Sequence, residues 1–409
     1  MQRAIEVLLA ACTLLLIVLM YLQMKTAPLI YDEAFHYQRI TAVLQGVFPP
    51  AGWGVMFPGY HLLTAGLLKI AGQTSIPAAR MVSLLFSLSA CVAAYGVARF
   101  VDRPTALLRT LQFALFPILL PYFPLIYTDT LSLSLVLFAL LAALQGRRFL
   151  LGLFFLFAVL VRQNNILWAP LLFAILLEAE PGFRMVANRP VAWLRAAAAR
   201  LRHPHALRVI IRLTAPFLLP VFGFALFVAM MGRASFSPAL ATAHPFPSFS
   251  LGNVFFALFL FTALFLPLIL VRARAILLLL KRPWVLLLLA VLFILFTVGF
   301  HVDHPANSEA GRLRDVILLA AAAGGTKGFL FWFAGAIAVG TMLVIPLSRR
   351  SFLWIYPLSV LYLGGSWLIE TRYAIVPLVL FLLLRKPNSW RTEILQFAFN
   401  ALLLLWVFL

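Results

Sequence analysis

The 409-residue sequence has few charged side chains, and this shortage excludes an ordinary soluble protein. Charged residues make up 11% of the chain, whereas soluble domains average roughly 25%. Hydrophobic residues reach 64%, with a mean hydropathy of +1.04, and apolar runs recur along the whole length. Since a helix needs about 20 apolar residues to cross a bilayer, we predict one integral membrane domain over residues 1–409.

Cysteine is also scarce, and repeats are absent. Cys12 and Cys91 both lie inside apolar runs, which argues against a disulfide framework and against a thiolate metal site. The sequence has no internal repeat and no inverted-repeat symmetry of the kind typical of transporters.

The apolar runs predict an all-α polytopic membrane protein with about 13 spanning helices, within a range of 11–14. The first run follows Arg3 and lacks a signal-peptide cleavage site, so we interpret it as a retained helix. The predicted spans are Ala4–Met24, Pro77–Val97, Thr110–Tyr122, Leu131–Leu144, Phe149–Val161, Ile166–Leu177, Leu213–Met231, Val254–Val271, Trp284–Phe300, Phe329–Leu347, Phe352–Ile369, Ala374–Leu384 and Ile394–Leu409.

The net charge of +20 is explained by topology and does not indicate a nucleic-acid partner. With the N-terminus in the cytoplasm, most of the 32 basic residues fall in cytoplasmic segments, as the positive-inside rule requires. The largest group lies in a basic cytoplasmic loop, residues 178–212, which we expect to contact anionic lipid headgroups.

Acidic residues show the opposite bias. Seven of the 12 fall on the predicted outer side, so chemistry is expected there: Asp32, Glu33, Asp129, Asp303, Glu309, Asp315 and Glu370. Residues 25–76 form the predicted first outer loop, with short surface helices, and residues 301–328 form another outer loop.

The segment Tyr31–Arg39 carries two adjacent carboxylates at a membrane boundary, where charge is costly unless it faces water or a partner. In a helix, Asp32, His36 and Arg39 would share one face, with Glu33 beside it. One carboxylate can then act as a base and the other as a hydrogen-bond anchor. The alternative is an N-cap with an acidic first turn.

Three further polar segments lie at predicted outer ends. Tyr127-Thr128-Asp129 is either a site segment or a helix cap. Arg162-Gln163-Asn164-Asn165 interrupts two apolar runs, and its arginine needs an anion, either a phosphate or Asp129. Glu370-Thr371-Arg372-Tyr373 is a further candidate, with an internal ion pair as the alternative.

The polar stretch His301–Asp315 offers two histidines and several charges. Its spacing fits no dedicated metal motif, so we expect a solvated loop or a substrate contact and no metal.

Four of these segments resemble, in order, the terminal alpha-1,2-glucosyltransferases of lipid-linked oligosaccharide assembly, which use dolichyl-phosphate-glucose. They are Asp32–His36, Tyr127–Asp129, Val161–Trp168 and Glu370–Pro377. The departure is at His304-Pro305, where similar proteins continue with an Asp-Asn-Arg-His-Tyr run and this chain does not.

The resemblance implies a GT-C bundle without a Rossmann nucleotide-sugar domain and with a functional first outer loop. It implies a polyprenyl-phosphate-glucose donor, a lipid-linked oligosaccharide acceptor and an inverting transfer without cofactor or metal. The active site would be lumenal in the endoplasmic reticulum or periplasmic in a bacterium. The implied catalytic residues are Asp32 and Glu33; the donor phosphate contacts are Arg372, Arg162, His36 and His304; other substrate contacts are Asp129, Gln163, Asn164, Asn165, Tyr127, Glu370, Tyr373 and His301.

Two alternatives remain open at this point. Another GT-C transferase, acting on proteins or on envelope glycans and lipids, would share the fold with a different acceptor. A lipid flippase or transporter would use Arg162 and Asn164 in a translocation path, but it would not explain why the carboxylates concentrate on one side.

Overall fold

A computed structural model gives the fold and describes residues 2–48, 56–180, 204–232, 249–308 and 312–408. Within these ranges the regular elements are helices, and the only strand-like pairing is an isolated bridge between Leu347 and Arg385. The prediction of an all-α polytopic membrane protein is confirmed.

The described residues form 17 α-helices, joined in places by short 3₁₀ turns. The N-terminal half contains α1 (Gln2–Met24), α2 (Glu33–Leu44), α3 (Gly59–Ile70), α4 (Ile76–Val101), α5 (Ala106–Ala114), α6 (Thr128–Leu144), α7 (Arg148–Val161) and α8 (Ala169–Ala179). The C-terminal half contains α9 (Pro204–Met231), α10 (Gly252–Leu264), α11 (Leu266–Leu279), α12 (Pro283–Gly299), α13 (Leu313–Ala322), α14 (Gly325–Val344), α15 (Ile355–Gly364), α16 (Ile375–Leu384) and α17 (Trp390–Phe408).

Among the described residues, four helices are long and apolar enough to cross a membrane: α1, α4, the Arg208–Met231 part of α9, and α14. The pair α10 and α11 would add a fifth span, bent by 95°. Shorter apolar helices fill out the bundle, namely α6, α7, α12 and the segments Ser351–Gly364 and Thr371–Leu384.

The centre of the bundle is α16, in which all ten residues from Ile375 to Leu384 are buried. A helix that is apolar on every face belongs in an interior. At the end of α16 the fully buried Arg385 pairs with Glu393 of α17 over 2.6 Å, and Gln112 of α5 donates to the same carboxylate. This network holds one end of α16, and the other end begins three residues after Arg372.

Proline explains two places where the predicted spans are wrong. The predicted helix Thr110–Tyr122 ends at Ala114, because Pro117 and Pro121 cannot donate the hydrogen bonds that a helix interior needs. The predicted span Val254–Val271 is two helices that meet at Phe265, with Pro267 in the first turn of α11.

The predicted outer loop 301–328 contains α13 and the start of α14. In the predicted first outer loop, 25–76, the chain forms α2 and α3, which pack against each other and against neighbouring helices. Most of the predicted basic loop 178–212 lies outside the described residues, as does Glu309.

Candidate active site

Polar side chains from distant parts of the sequence meet at one end of the bundle. The connection from α1 to α2 lies at this end. Helices α4 and α6 begin there, α7 ends there, and the 3₁₀ turn Thr371–Ala374 precedes α16 there. Antiparallel neighbouring helices place alternate connections at the same end. The residues brought together are Asp32, Glu33, His36, Arg80, Tyr127, Asp129, Arg162, Arg372 and Tyr373.

Glu33 is fully buried in an ion pair with Arg80, whose Nη2 lies 2.6 Å from Oε2 and whose Nε lies 3.0 Å from Oε1. The N–H groups of Ile30 and Ile126 donate to the same carboxylate over 3.1 and 3.0 Å. A carboxylate accepts about four hydrogen bonds, so its acceptor positions are filled by protein donors. Arg80 also donates to the carbonyls of Met24, Ala27 and Pro28. The pair therefore ties the end of α1 to α4 and α6.

The neighbouring carboxylate of Asp32 faces outward, with half of its side chain exposed. Its Oδ2 lies 2.8 Å from Nη1 of Arg372, and its backbone N–H donates to the Tyr127 hydroxyl over 3.0 Å. Asp32 occupies the N-cap position of α2 but makes no side-chain capping bond. The capping alternative therefore does not account for this side chain.

The residue before Asp32 has a strained backbone. Tyr31 has φ +49°, in the left-handed region that residues with a Cβ rarely adopt. Such a conformation costs on the order of 1 kcal/mol and is retained where surrounding contacts impose it. Here the turn lets Asp32 face outward while Glu33 faces inward.

Arg372 is largely buried, and its guanidinium lies 5.6 Å from the Tyr127 ring centroid and 5.7 Å from that of Tyr373. Its Nε is buried and makes no hydrogen bond to any described residue. Arginine over aromatic faces is held in place without using its N–H groups. Part of its donor capacity is therefore still available beside Asp32.

Arg162 finds its anion within the protein, because its Nη1 lies 2.8 Å from Oδ1 of Asp129. Of the two partners expected for this arginine, phosphate or Asp129, the structure contains the second. The guanidinium also lies 5.8 Å from the Tyr373 ring, so Arg162 and Arg372 share one aromatic neighbour. Two guanidiniums thus flank Tyr373 next to the exposed carboxylate.

The amides after Arg162 have different surroundings. Asn165 is fully buried and donates to Ser132 and to the Ala158 carbonyl, each over 2.8 Å, which ties α6 to α7. Gln163 and Asn164 are partly exposed, and the Asn164 side chain contacts Tyr362. Of these three predicted substrate contacts, Asn165 lies furthest from solvent.

His36 is buried one helical turn after Asp32, and its Nδ1 lies 3.1 Å from Nε2 of His61 in α3. The rings of Tyr60 and Tyr127 surround the pair. Burial holds the pKa of His36 well below its usual range, and His61 and Arg372 lower it further. Burial likewise lowers the pKa of His61 to about 3. Both imidazoles are therefore neutral near pH 7.

Glu370 belongs to an adjacent network. Its Oε1 lies 2.5 Å from Nη1 of Arg314, which also bonds Asp315 over 2.7 Å. His304 packs edge-on against Trp367, with ring centroids 4.9 Å apart, and burial lowers its pKa. Glu370 thus has an internal ion pair, the alternative that its sequence position left open.

Two buried asparagines hold the segment that leads to Arg372. Asn307 donates to the Ile369 carbonyl and accepts from the Ile369 N–H, over 2.9 and 3.0 Å. Asn253 accepts from the Glu370 N–H and donates to the carbonyls of Ser366 and Leu368. Bonds to both edges of an irregular backbone hold it in one conformation.

His301 lies apart from this cluster, since its exposed ring bonds the Val298 carbonyl at the end of α12 over 2.8 Å. In the part of the chain that the structure describes, no three His, Cys, Asp or Glu residues lie close enough to hold a metal ion.

Several residues of this cluster were not predicted from the sequence to belong to the site. Arg80 had a signal, because a lone arginine near the start of an apolar helix needs an anion. His61 and Asn253 had none, since a single histidine or asparagine in an apolar helix is usual. Arg314 lies within the polar stretch 301–315 and was not singled out, whereas Asp315 was named only among the acidic residues of the predicted outer side.

The half-exposed carboxylate of Asp32 pairs with Arg372, and the pair of Arg162 with Asp129 lies close by at the same end of an apolar helical bundle. This arrangement defines a polytopic membrane protein with a site built from carboxylates and arginines. The chain belongs to the DIE2/ALG10 family, whose model matches residues 26–305. The matched range includes Asp32, Asp129 and Arg162 and ends before Arg372. The resemblance predicted from the four motifs is confirmed by this match.

Two curated relatives are mammalian proteins named Dol-P-Glc:Glc(2)Man(9)GlcNAc(2)-PP-Dol alpha-1,2-glucosyltransferase. The Mus musculus protein is 32% identical over 157 residues, which cover 34% of this chain and 33% of the relative. A Homo sapiens protein is 31% identical over 160 residues, with the same coverage. The match thus spans about a third of the length of these relatives. No solved structure matches the chain.

Proposed function

We propose that this protein transfers glucose from a polyprenyl phosphate to a lipid-linked oligosaccharide and forms an alpha-1,2 linkage. Family membership and the names of the relatives support the reaction. The distribution of basic residues supports an active site on the non-cytoplasmic face, lumenal in the endoplasmic reticulum or periplasmic in a bacterium.

The observation that carries this proposal is the half-exposed carboxylate of Asp32, 2.8 Å from Arg372 and beside the neutral His36. An acceptor hydroxyl is a weak nucleophile, so a positioned base must take its proton as the new bond forms. Asp32 is the base in this proposal because its carboxylate reaches solvent. Glu33 is its anchor, because its carboxylate is fully engaged with Arg80 and two backbone N–H groups.

The reaction is one displacement at the anomeric carbon. The acceptor oxygen forms a bond to that carbon, its proton passes to Asp32, and the bond from the carbon to the phosphate oxygen breaks. The departing phosphate gains negative charge, which fixed guanidiniums stabilise. Arg372 is the main donor in this role, with Arg162, His36 and His304 nearby. A beta-linked donor gives an alpha product by this single inversion.

An apolar cavity of about 410 Å³ supports a lipid-linked substrate. It lies between α10, α12, α14, α15 and α16, one to two helical turns from Arg372 along α16. Its lining is almost entirely apolar and includes Leu251, Phe255, Leu292, Leu363, Pro377 and Phe381. A polyprenyl tail in this cavity would place its phosphate near the two arginines.

The test is glucose transfer from synthetic polyprenyl-phosphate-glucose to a diglucosylated lipid-linked oligosaccharide by purified protein in detergent. We expect Asp32→Asn to lose about 10² to 10⁴-fold in kcat, the usual contribution of a general base. Asp303→Asn is the matched control, since Asp303 is exposed and lies outside the cluster. EDTA tests the prediction that no metal takes part.

Full activity of Asp32→Asn would overturn the assigned base. Glucose transfer to other glycans, proteins or lipids but not to this acceptor would identify another transferase of the same fold. Absence of any transfer together with lipid movement across vesicles would favour the flippase alternative.

A further inference from the structure

The contact between His36 and His61 joins two histidines that are both shielded from solvent. His36 is 1% exposed and His61 is fully buried. Their rings are tilted by 33° with centroids 5.3 Å apart, and Phe35, Tyr60 and Tyr127 pack edge-on around them. His36 lies one helical turn after Asp32 in α2, so the histidine pair adjoins the turn that contains Asp32.

The surroundings exclude a positive charge on this pair. Arg39, Arg162 and Arg372 all oppose protonation of His36, and Arg39 opposes protonation of His61. With both rings neutral, the bond between Nδ1 of His36 and Nε2 of His61 contains a single proton. Each ring then has one donor and one acceptor nitrogen, so the tautomer of one ring determines that of the other.

The second nitrogen of His36 is directed away from His61. No described residue hydrogen-bonds Nε2 of His36. Arg372 and Arg162 act on this ring from neighbouring elements, each paired with a carboxylate, Asp32 or Asp129. Guanidiniums that keep N–H groups in excess of these pairs can also bind a phosphate. A donor at Nε2 would add to their binding of that anion, whereas an acceptor there would oppose it.

We propose that His61 is a positioning residue that donates from Nε2–H to Nδ1 of His36 and thereby keeps the His36 proton on Nε2, as a neutral donor to the substrate phosphate. This inference rests on the proposed function in one respect, namely that the substrate is a polyprenyl phosphate. It differs from a packing role, because it requires a hydrogen-bond donor at position 61.

The experiment measures the affinity of the full-length protein in detergent for a short-chain polyprenyl phosphate, with glucose transfer measured in parallel. His61→Leu removes the donor while keeping an apolar side chain, and His61→Gln keeps an N–H group near the position of Nε2. Thr64→Val is the matched control, since Thr64 is fully buried on the same helix. Thermal unfolding of each variant separates loss of binding from loss of folding.

We expect His61→Leu to bind the phosphate about tenfold more weakly, which corresponds to one net hydrogen bond. His61→Gln should bind within threefold of wild type, and Thr64→Val should bind as wild type does. If His61 acts only through His36, adding His61→Leu to His36→Gln should cost nothing further.

Unchanged affinity of His61→Leu, or a loss that His61→Gln shares, would overturn the inference. Additive losses in the double variant would also overturn it. Failure of the proposed function looks different, because wild type would then bind the phosphate and transfer no glucose while the effect of His61→Leu on binding remained. A wild type that binds no polyprenyl phosphate would overturn both.

Discussion

Asp32 and Glu33 are consecutive carboxylates with opposite surroundings. Asp32 is half exposed beside Arg372, whereas Glu33 is fully buried against Arg80. Burial of an ion pair removes both charges from water, and the pair is stable only while both partners remain. Removal of the charge should therefore have a different effect on stability at each of the two positions.

We expect Glu33→Gln to lower the free energy of unfolding by about 3–5 kcal/mol, because it leaves Arg80 buried without its counter-charge. Asp32→Asn should lower it less, since the Asp32 side chain is half exposed, although its partner Arg372 is largely buried. Thermal unfolding in detergent measures both. The double variant Glu33→Gln/Arg80→Met is the control and should be more stable than Glu33→Gln alone. Equal stability of Glu33→Gln and wild type would contradict the structural role of this pair.

The two buried histidines predict a dependence of stability on pH. The folded protein keeps His61 neutral down to about pH 3, whereas an unfolded chain protonates it near 6.5. The unfolded state then binds more protons below pH 6.5, so stability falls as the pH falls. The slope is about 1.4 kcal/mol per pH unit for each such histidine.

We therefore expect the unfolding temperature to drop between pH 6.5 and pH 5, and to drop less in His61→Gln. Thr64→Val is the control, since it changes a buried residue of the same helix without removing a titratable group. Identical slopes for wild type and His61→Gln would show that the pair does not stay neutral.

At the scale of the helices, the position of His61 depends on how closely α3 approaches α7. A Cβ at Gly59 would lie 2.5 Å from the Leu160 carbonyl oxygen, closer than real contacts allow. Gly66 lies on the same helix, and a Cβ there would meet nothing within 4 Å. The approach of the two helices thus requires glycine at one end of α3 and not at the other.

We expect Gly59→Ala to push α3 away from α7 and to destabilise the protein by about 1–3 kcal/mol, the usual cost of overpacking. It should also weaken phosphate binding, because His61 follows two residues later. Gly66→Ala should be neutral or stabilising by about 0.5–1 kcal/mol. Unfolding temperature and polyprenyl phosphate affinity test both variants, and equal behaviour of the two would refute the close approach.

At the scale of the whole molecule, every residue proposed to act on the substrate lies at one end of the bundle, and the Arg385 and Glu393 network lies at the other. The distribution of basic residues supports the proposal that the substrate end lies outside the cytoplasm. Gln73 lies in the turn between α3 and α4 at the substrate end, and Lys281 lies between α11 and α12. Both side chains are exposed.

We expect a membrane-impermeant maleimide added to intact bacterial cells that express the protein, where the reagent reaches the periplasm, to label Gln73→Cys and not Lys281→Cys, in a protein with Cys12 and Cys91 replaced by alanine. Permeabilised cells should allow labelling of both and are the control. The reverse pattern would place the active site in the cytoplasm and overturn the proposed reaction, because the orientation would then expose Asp32 to the wrong compartment.

Composition and order of residues were sufficient for the membrane class, the approximate helix positions and the list of candidate segments. Apolar runs and polar interruptions are local features of the sequence. In a bilayer, an apolar run of sufficient length is interpreted as a helix, because its backbone polar groups must be hydrogen-bonded within the segment. The Thr110–Tyr122 and Val254–Val271 predictions failed because proline acts on backbone geometry within a run that remains apolar.

The different surroundings of Asp32 and Glu33 are determined by tertiary contacts. Arg80 and Arg372 come from other helices, and nothing in the Tyr31–Arg39 segment says which carboxylate each will meet. The same holds for the His36 and His61 pair, which exists because α2 and α3 pack together. Apolar patterning determines which residues enter the membrane, but the partner of a buried charge is determined only when distant helices pack and the charge must be compensated.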